Sequence, residues 1–442
     1  MCVRLRPALG LIASVVVAGT AAAQGVNLAD RVKPGDCFKY EIGLAVEGKL
    51  KVDRDGRPDT IPLSAKASHM FVERVEAVEG RGGVGKAVRH YAVAGSETNT
   101  GGEWGRRELA ADRKLIVAQR TADGSLHFSP DGPLGRDELE LVAEHFDTLV
   151  LPALLPGKAV NPGDTWPVGP EATQHACHFE GLIKGELVGK LTEAKDGAAT
   201  FTITGTAEGV EAGAAVKVTV VAVGRFDTVS GRLTELRWEQ TDDRGQGPAS
   251  PASEVTAVIT LKRIPLADDP KEVGADARAK LPADGTPPEA LTKLRYTDPA
   301  GRFRFVYTRD WHVVGRTGDH LVLRLLDKGE FTAQATVTVW KKAAPGQHSA
   351  PAEFQEAVAK LPGWQAEQVL ADTTLPADAG RWLYRLTARG RQDGLPVVQS
   401  FFLLAGPTGD QLAVSVVARA EKADQVGTRD LGLVSAIQFG PK

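Results

Sequence analysis

The residues most able to do chemistry form four short groups. Gly80-Arg81-Gly82-Gly83-Val84-Gly85-Lys86-Ala87 contains the letters of a dinucleotide loop and most of a phosphate loop. Either chemistry needs the glycine loop to open a helix, whose N–H groups and dipole hold the phosphate. Ala87-Val88-Arg89-His90-Tyr91-Ala92-Val93 follows and reads as a strand, and Ala87 lacks the hydroxyl that would meet magnesium. A hairpin loop is the better reading. His175-Ala176-Cys177-His178 offers three metal-ligating side chains in four residues. On a strand, adjacent positions point to opposite faces, and no partner cluster completes a four-ligand site.

Glu140, Glu144, His145 and Asp147 resemble acid–base groups, but they fall on the polar face of an amphipathic pattern, where solvent equalises carboxylates. No HExxH or GxSxG pattern occurs, so the expectation is no catalytic residue, no cofactor and no metal. Thr100-Gly101-Gly102-Glu103-Trp104-Gly105-Arg106-Arg107 is the fourth group. Tryptophan beside arginine is the composition of binding hot spots, which makes Trp104, Arg106 and Arg107 candidate contact residues. A hairpin whose Trp104 folds back on its own sheet is the competing expectation.

The elements that must position these groups are mostly strands. Val216-Lys217-Val218-Thr219-Val220 and Val255 to Leu261 alternate with the period of a half-buried strand. Lys195-Asp196-Gly197 and Val229-Ser230-Gly231 separate such segments as hairpin turns. One helix, over 136–151, crosses this sheet: Leu139, Val142, Phe146, Leu149 and Val150 share a face, and Pro152 ends it. Val32-Lys33-Pro34-Gly35-Asp36-Cys37-Phe38 is echoed by Val160-Asn161-Pro162-Gly163-Asp164-Thr165-Trp166. Pro-Gly suits a type II turn, so the β-rich region 24–265 reads either as two related halves, 30–130 and 158–265, or as common turn chemistry used twice.

Residues 266–292 are rich in Pro and Ala without apolar periodicity, the composition of a linker. Strands and helices alternate over 293–442, an α+β pattern with an antiparallel sheet. The fold class expected is therefore mixed: a β-rich antiparallel N-terminal domain with one crossing helix, then an α+β domain, each with its own core.

The chain of 442 residues is long enough for two or three domains, and its formal net charge of -3 gives no electrostatic footprint for nucleic acid. Arg4 and Arg6, an apolar run from Ala8 to Ala18 and Thr20-Ala21-Ala22-Ala23 have the order of a signal peptide over 1–23. Cleavage near Ala23 would deliver the chain to a periplasmic or extracellular compartment, and no later segment is apolar enough to span a bilayer. In an oxidising compartment Cys37 and Cys177 are a candidate disulfide; buried unrelated thiols are the alternative.

Gly301-Arg302-Phe303-Arg304-Phe305-Val306-Tyr307-Thr308-Arg309-Asp310-Trp311, the later strand-helix-strand order and the closing Ile437-Gln438-Phe439 resemble the PsbP-like superfamily. The resemblance covers the C-terminal domain and implies an extracytoplasmic accessory or assembly domain without a catalytic centre. The N-terminal region resembles uncharacterised secreted bacterial β-rich proteins, which implies no activity. The expected function is a secreted, non-catalytic binding or accessory protein acting through protein contacts. A carrier holding an apolar small molecule under the crossing helix is the alternative, and a hydrolase without a recognisable motif the second.

Overall fold

The computed structural model describes residues 25–440, apart from 55, 80–82, 122–123, 144–145, 283–285 and 379. The segment expected to be a signal peptide, and with it Cys2, lies outside the described residues, as do Gly80–Gly82, Glu144 and His145.

The alternating segments assemble as a 13-stranded antiparallel sheet. Its seam is the pairing of Cys37–Arg54 with Ala252–Leu266, in register from Cys37↔Leu266 to Lys51↔Ala252. From that seam the chain meanders outward both ways, through Arg57–Glu79, Gly83–Thr100 and Leu115–Thr121 on one side. On the other side come Arg232–Arg244, Ala214–Asp227 and Ala198–Glu211. The strand pattern is strictest in Ala214–Asp227, where every second side chain is buried. The two Pro-Gly turns are built alike. Gly35 and Gly163 have φ of 95° and 96°, and Asp36 and Asp164 each accept from the backbone N–H three residues earlier. That is the type II geometry in which only glycine sits without strain.

The crossing helix is shorter than its apolar spacing predicts. An α-helix runs over Arg136–Val142, and a 3-10 helix over Thr148–Leu154 replaces its second half. Asp147 starts the second piece, its side chain accepting from Leu149 N at 2.9 Å. The same carboxylate accepts from Ser125 Oγ at 2.7 Å and pairs with Arg120 at 3.1 Å. Asp147 was expected on the solvent face; the Arg120 ion pair draws it inward instead, which is incompatible with one straight helix. Leu139, Val142, Phe146, Leu149 and Val150 are buried as their spacing predicts. Phe146 packs on Trp238 with ring centroids 5.4 Å apart.

The C-terminal region builds a seven-stranded antiparallel sheet, from the edge strand Trp311–Arg316 across to Trp364–Leu375. Helices Pro351–Ala359 and Arg429–Ser435 accompany it. A four-stranded sheet lies beside it: Gln438–Phe439, Phe303–Tyr307, Leu294–Thr297 and Leu134–Gly135. That last strand comes from the N-terminal region and pairs in parallel, Leu134↔Leu294 and Gly135↔Arg295. The expectation of two separate cores fails here. A single apolar cluster runs from Leu28 through Trp238 to Trp311 and Ile437. Residues 266–292 also do more than link, because Val273 and Ala277 pack against Val88 and Leu115 on the outer face of the large sheet.

Candidate functional site

The strand Glu103–Glu108 is the starting point, because its position follows from few contacts. It pairs with the far end of Gly83–Thr100, from Gly95↔Glu108 to Thr100↔Glu103, and among the described residues with no second strand. Gly101 and Gly102, both at positive φ, make the turn that returns the chain. Trp104 is 72 % exposed, so it does not fold back on its sheet. Arg106 pairs with Glu108 at 2.6 Å, while Arg107 crosses to the helix and meets Glu140 at 2.6 Å and Asp137 at 3.2 Å.

Side chains from both faces of this strand line one cleft of about 1100 Å³, which opens between it, the helix Arg136–Val142 and the C-terminal region. The strand therefore presents its unpaired edge to the cleft rather than one face. Glu138 fixes the geometry of the opposite wall. Its carboxylate accepts from Gly135 N at 2.6 Å, the helix start, and from Arg295 at 2.9 Å, tying the helix to the C-terminal sheet. Such a carboxylate at the first turn also meets the positive end of the helix dipole.

Six arginines line the cleft: Arg106, Arg107, Arg136, Arg295, Arg304 and Arg316. Four carboxylates face them, Glu108, Asp137, Glu138 and Glu140, which leaves two positive charges over. Arg136, Arg304 and Arg316 have no carboxylate partner among the described residues. Arg136 donates to the Trp311 carbonyl at 3.0 Å and to Arg309 O at 3.4 Å. Arg304 donates to Gln438 Oε1 at 3.1 Å, and Arg316 bonds to the Tyr296 hydroxyl. Behind the wall, Arg309 donates to Thr292 O and His127 O, both at 2.6 Å. Burial and the neighbouring Arg136 bring Arg309 down to about 10, the sign of a cation held by carbonyl dipoles without a counter-ion. Burial raises Tyr307 while Arg136 opposes it. The site is a polar, electropositive slot with aromatic side chains, Tyr296, Phe305 and Tyr307, on its C-terminal wall.

The other groups singled out in the sequence are placed elsewhere. Gly83 already belongs to the strand Gly83–Thr100, so the glycine run leads into a strand and no helix start faces it. His175 closes the helix Pro170–Ala176, Cys177 caps it and His178 takes a left-handed φ of 58°. Among the described residues no three His, Cys, Asp or Glu side chains gather as a metal site. The bridge considered between Cys37 and Cys177 is not formed: both thiols are free and buried. Cys37 opens its strand with Sγ donating to Asp269 at 3.2 Å, and burial raises it to about 11. Cys177 sits at its helix end, raised to about 12 by burial and by Asp242.

Spacing alone did not reveal a buried polar band on the inner face of the large sheet. Arg89 pairs with Glu73 at 2.8 Å and donates to Thr148 at 2.6 Å. Beside it Ser125 donates directly to Asp147, whose carboxyl stays below the usual range through Arg120 and the Ser125 hydrogen bond despite burial. An ionised carboxylate of low basicity is a poor base for that hydroxyl, and His127 does not stand between them. His127 is pushed down by burial and by Arg89. These groups hold the sheet to the segment 147–154. The space beneath the Leu139–Leu149 face is about 30 Å³, lined by Phe71, Tyr91 and Phe146 among others. That is water-sized, far below the several hundred Å³ of a ligand pocket.

No family model matches the chain, and no curated protein sequence does. Among solved structures, the cyanobacterial PsbP protein CyanoP of Synechocystis sp. PCC 6803 aligns at 17% identity and a TM-score of 0.26, covering 34% of this chain and 93% of its own. The Saccharomyces cerevisiae Ran-binding protein Mog1p aligns at 12% identity and 0.26, covering 34% of this chain and 96% of its own. Lipovitellin aligns at 10% identity and 0.29, over 54% of this chain and 26% of its own. Matches at this level carry no functional argument. Among the described residues no helix is long and apolar enough to cross a membrane.

Proposed function

We propose that this chain is an exported, non-catalytic binding or accessory protein that acts through protein contacts, with a PsbP-like C-terminal domain. Its contact site is the cleft edged by Glu103–Glu108. The observation that carries this reading is the open edge itself, set among unpaired arginines with Trp104 standing exposed beside it. Buried cores satisfy such groups internally; a surface that leaves an edge, a tryptophan and arginines open has the make-up of a binding hot spot. The order of residues 1–23 supports export, and purified mature chain should begin at Gln24 by intact mass.

A photo-cross-linking residue at Gly105 tests the site, because a side chain built there meets no atom within 4 Å. In extracts of the native compartment, Gly105 should capture a defined polypeptide that the same cross-linker at Leu395, also exposed, does not. Trp104→Ala should abolish that adduct while leaving Tm within about 2 °C, as expected for a surface substitution within ~0.5 kcal/mol. Equal adducts at both positions, or a large fall in Tm, would sink the reading. The carrier alternative has less behind it, since the space under the crossing helix is water-sized. A stoichiometric lipid in organic extracts of the purified chain would restore it.

A further inference from the structure

The cleft has a second property that bears on what enters it: its walls are strand edges. Glu103–Glu108 is unpaired on one side. Across from it, Leu294–Thr297 is covered by Leu134–Gly135 at Leu294 and Arg295, which leaves Tyr296 and Thr297 open on that side. Phe303–Tyr307 meets Gln438–Phe439 at Phe303 and Arg304, and its remaining three residues are open on that side. Trp311–Arg316 is the outer strand of the seven-stranded sheet. Each edge offers a row of backbone N–H and C=O groups to the slot, the pattern to which an extended chain adds as a further strand.

Resting on the reading that this cleft is a protein-contact site, we propose that it takes an extended acidic peptide segment of the partner, paired as an added strand along Glu103–Glu108. Charge selects the occupant. The slot has two arginines more than carboxylates, and those without ion pairs, Arg136, Arg304 and Arg316, lie on the wall facing the open edge. A strand docked on Glu103–Glu108 turns alternate side chains toward that wall, so Glu or Asp at every second position meets guanidinium groups. A compact inorganic anion would leave most of the roughly 1100 Å³ and all of the edge hydrogen bonding unused. Gly105 at the middle of the strand lets another backbone approach closely.

The probes are fluorescein-labelled (Glu-Val)5, (Lys-Val)5 and a (Glu-Val)5 methylated at alternate backbone nitrogens, titrated against the intact chain by fluorescence anisotropy. The acidic peptide should bind saturably and the basic one should not bind. Backbone methylation should weaken binding at least tenfold, and so should Arg304→Gln with Arg316→Gln, two exposed positions whose loss leaves the core intact. Unmethylated and methylated peptides binding equally would refute strand addition. Displacement by millimolar inorganic phosphate with equal occupancy would show a small-anion site instead. If neither peptide binds while Gly105 still captures a partner, the acidic-strand assignment fails and the contact site stands. If Gly105 captures nothing but the acidic peptide binds in this pattern, the assignment stands without that partner.

Discussion

At Arg89 a full charge is held with almost no water. Its guanidinium bonds Glu73 and Thr148 and lies over the Phe71 ring, with 5.2 Å to the centroid. Burial costs such a pair dearly unless both partners remain, so removing one side costs more than the pair contributes. Arg89→Met should lower unfolding stability by about 3–5 kcal/mol in urea, and adding Glu73→Gln should recover part of it. Histidines give the acid response. Burial brings His69 and His312 down to about 4, and pushes His127 down too. An unfolded histidine titrates near 6.5, so the unfolded chain binds more protons below that pH. The stability is therefore complete above about 6.5 and is lost as pH falls toward 4, by up to about 1.4 kcal/mol per pH unit for each histidine. Asp147, held low, adds a further loss below its unfolded value of about 3.8. Melting curves from pH 7 to 4.5 should show a steep fall in Tm, flattened in a His69→Asn/His312→Asn double variant.

Whether an element could be read from order alone depended on whether it has two different faces. Ala214–Asp227 alternates perfectly and reads at once as a strand. Trp364–Leu375 is a strand of comparable length, yet beyond Trp364 none of its side chains is buried, so it leaves no hydrophobic period to find. The expected final helix over 423–436 is two pieces, Ala423–Val426 and Arg429–Ser435, parted at Gly427 with φ of 57°. The thiols also belong to element ends, one opening a strand and one capping a helix. Because each is buried and protonated, reductant should leave Tm unchanged. A thiol reagent should react with Cys37 and Cys177 at full rate in denaturant and slowly in buffer. Faster melting in reductant would reveal a bridge.

For the whole molecule, the decisive feature is the join between its regions. Leu134–Gly135 enters the C-terminal sheet, Arg309 reaches the His127 carbonyl, and the apolar cluster continues from one region into the other. Elements sharing a core unfold together, so calorimetry should give one transition whose van't Hoff and calorimetric enthalpies agree. Two resolved transitions would show independent units. The cleft depends on this join, since its two walls come from distant parts of the chain.

Local order determined the strands with a buried face, the apolar side of the crossing helix, the paired Pro-Gly turns and the openness of the Trp104 hairpin as one of two choices. Each depends on side chains within a few positions of one another, where period and turn chemistry act. Tertiary structure alone decided that Asp147 breaks the helix, because its partner Arg120 is on another strand. It decided that Cys37 and Cys177 stay apart and that Arg106 and Arg107 face Arg304 and Arg316 across one slot. Those outcomes depend on which elements become neighbours, and burial and charge select among neighbours only once the backbone has brought them within reach.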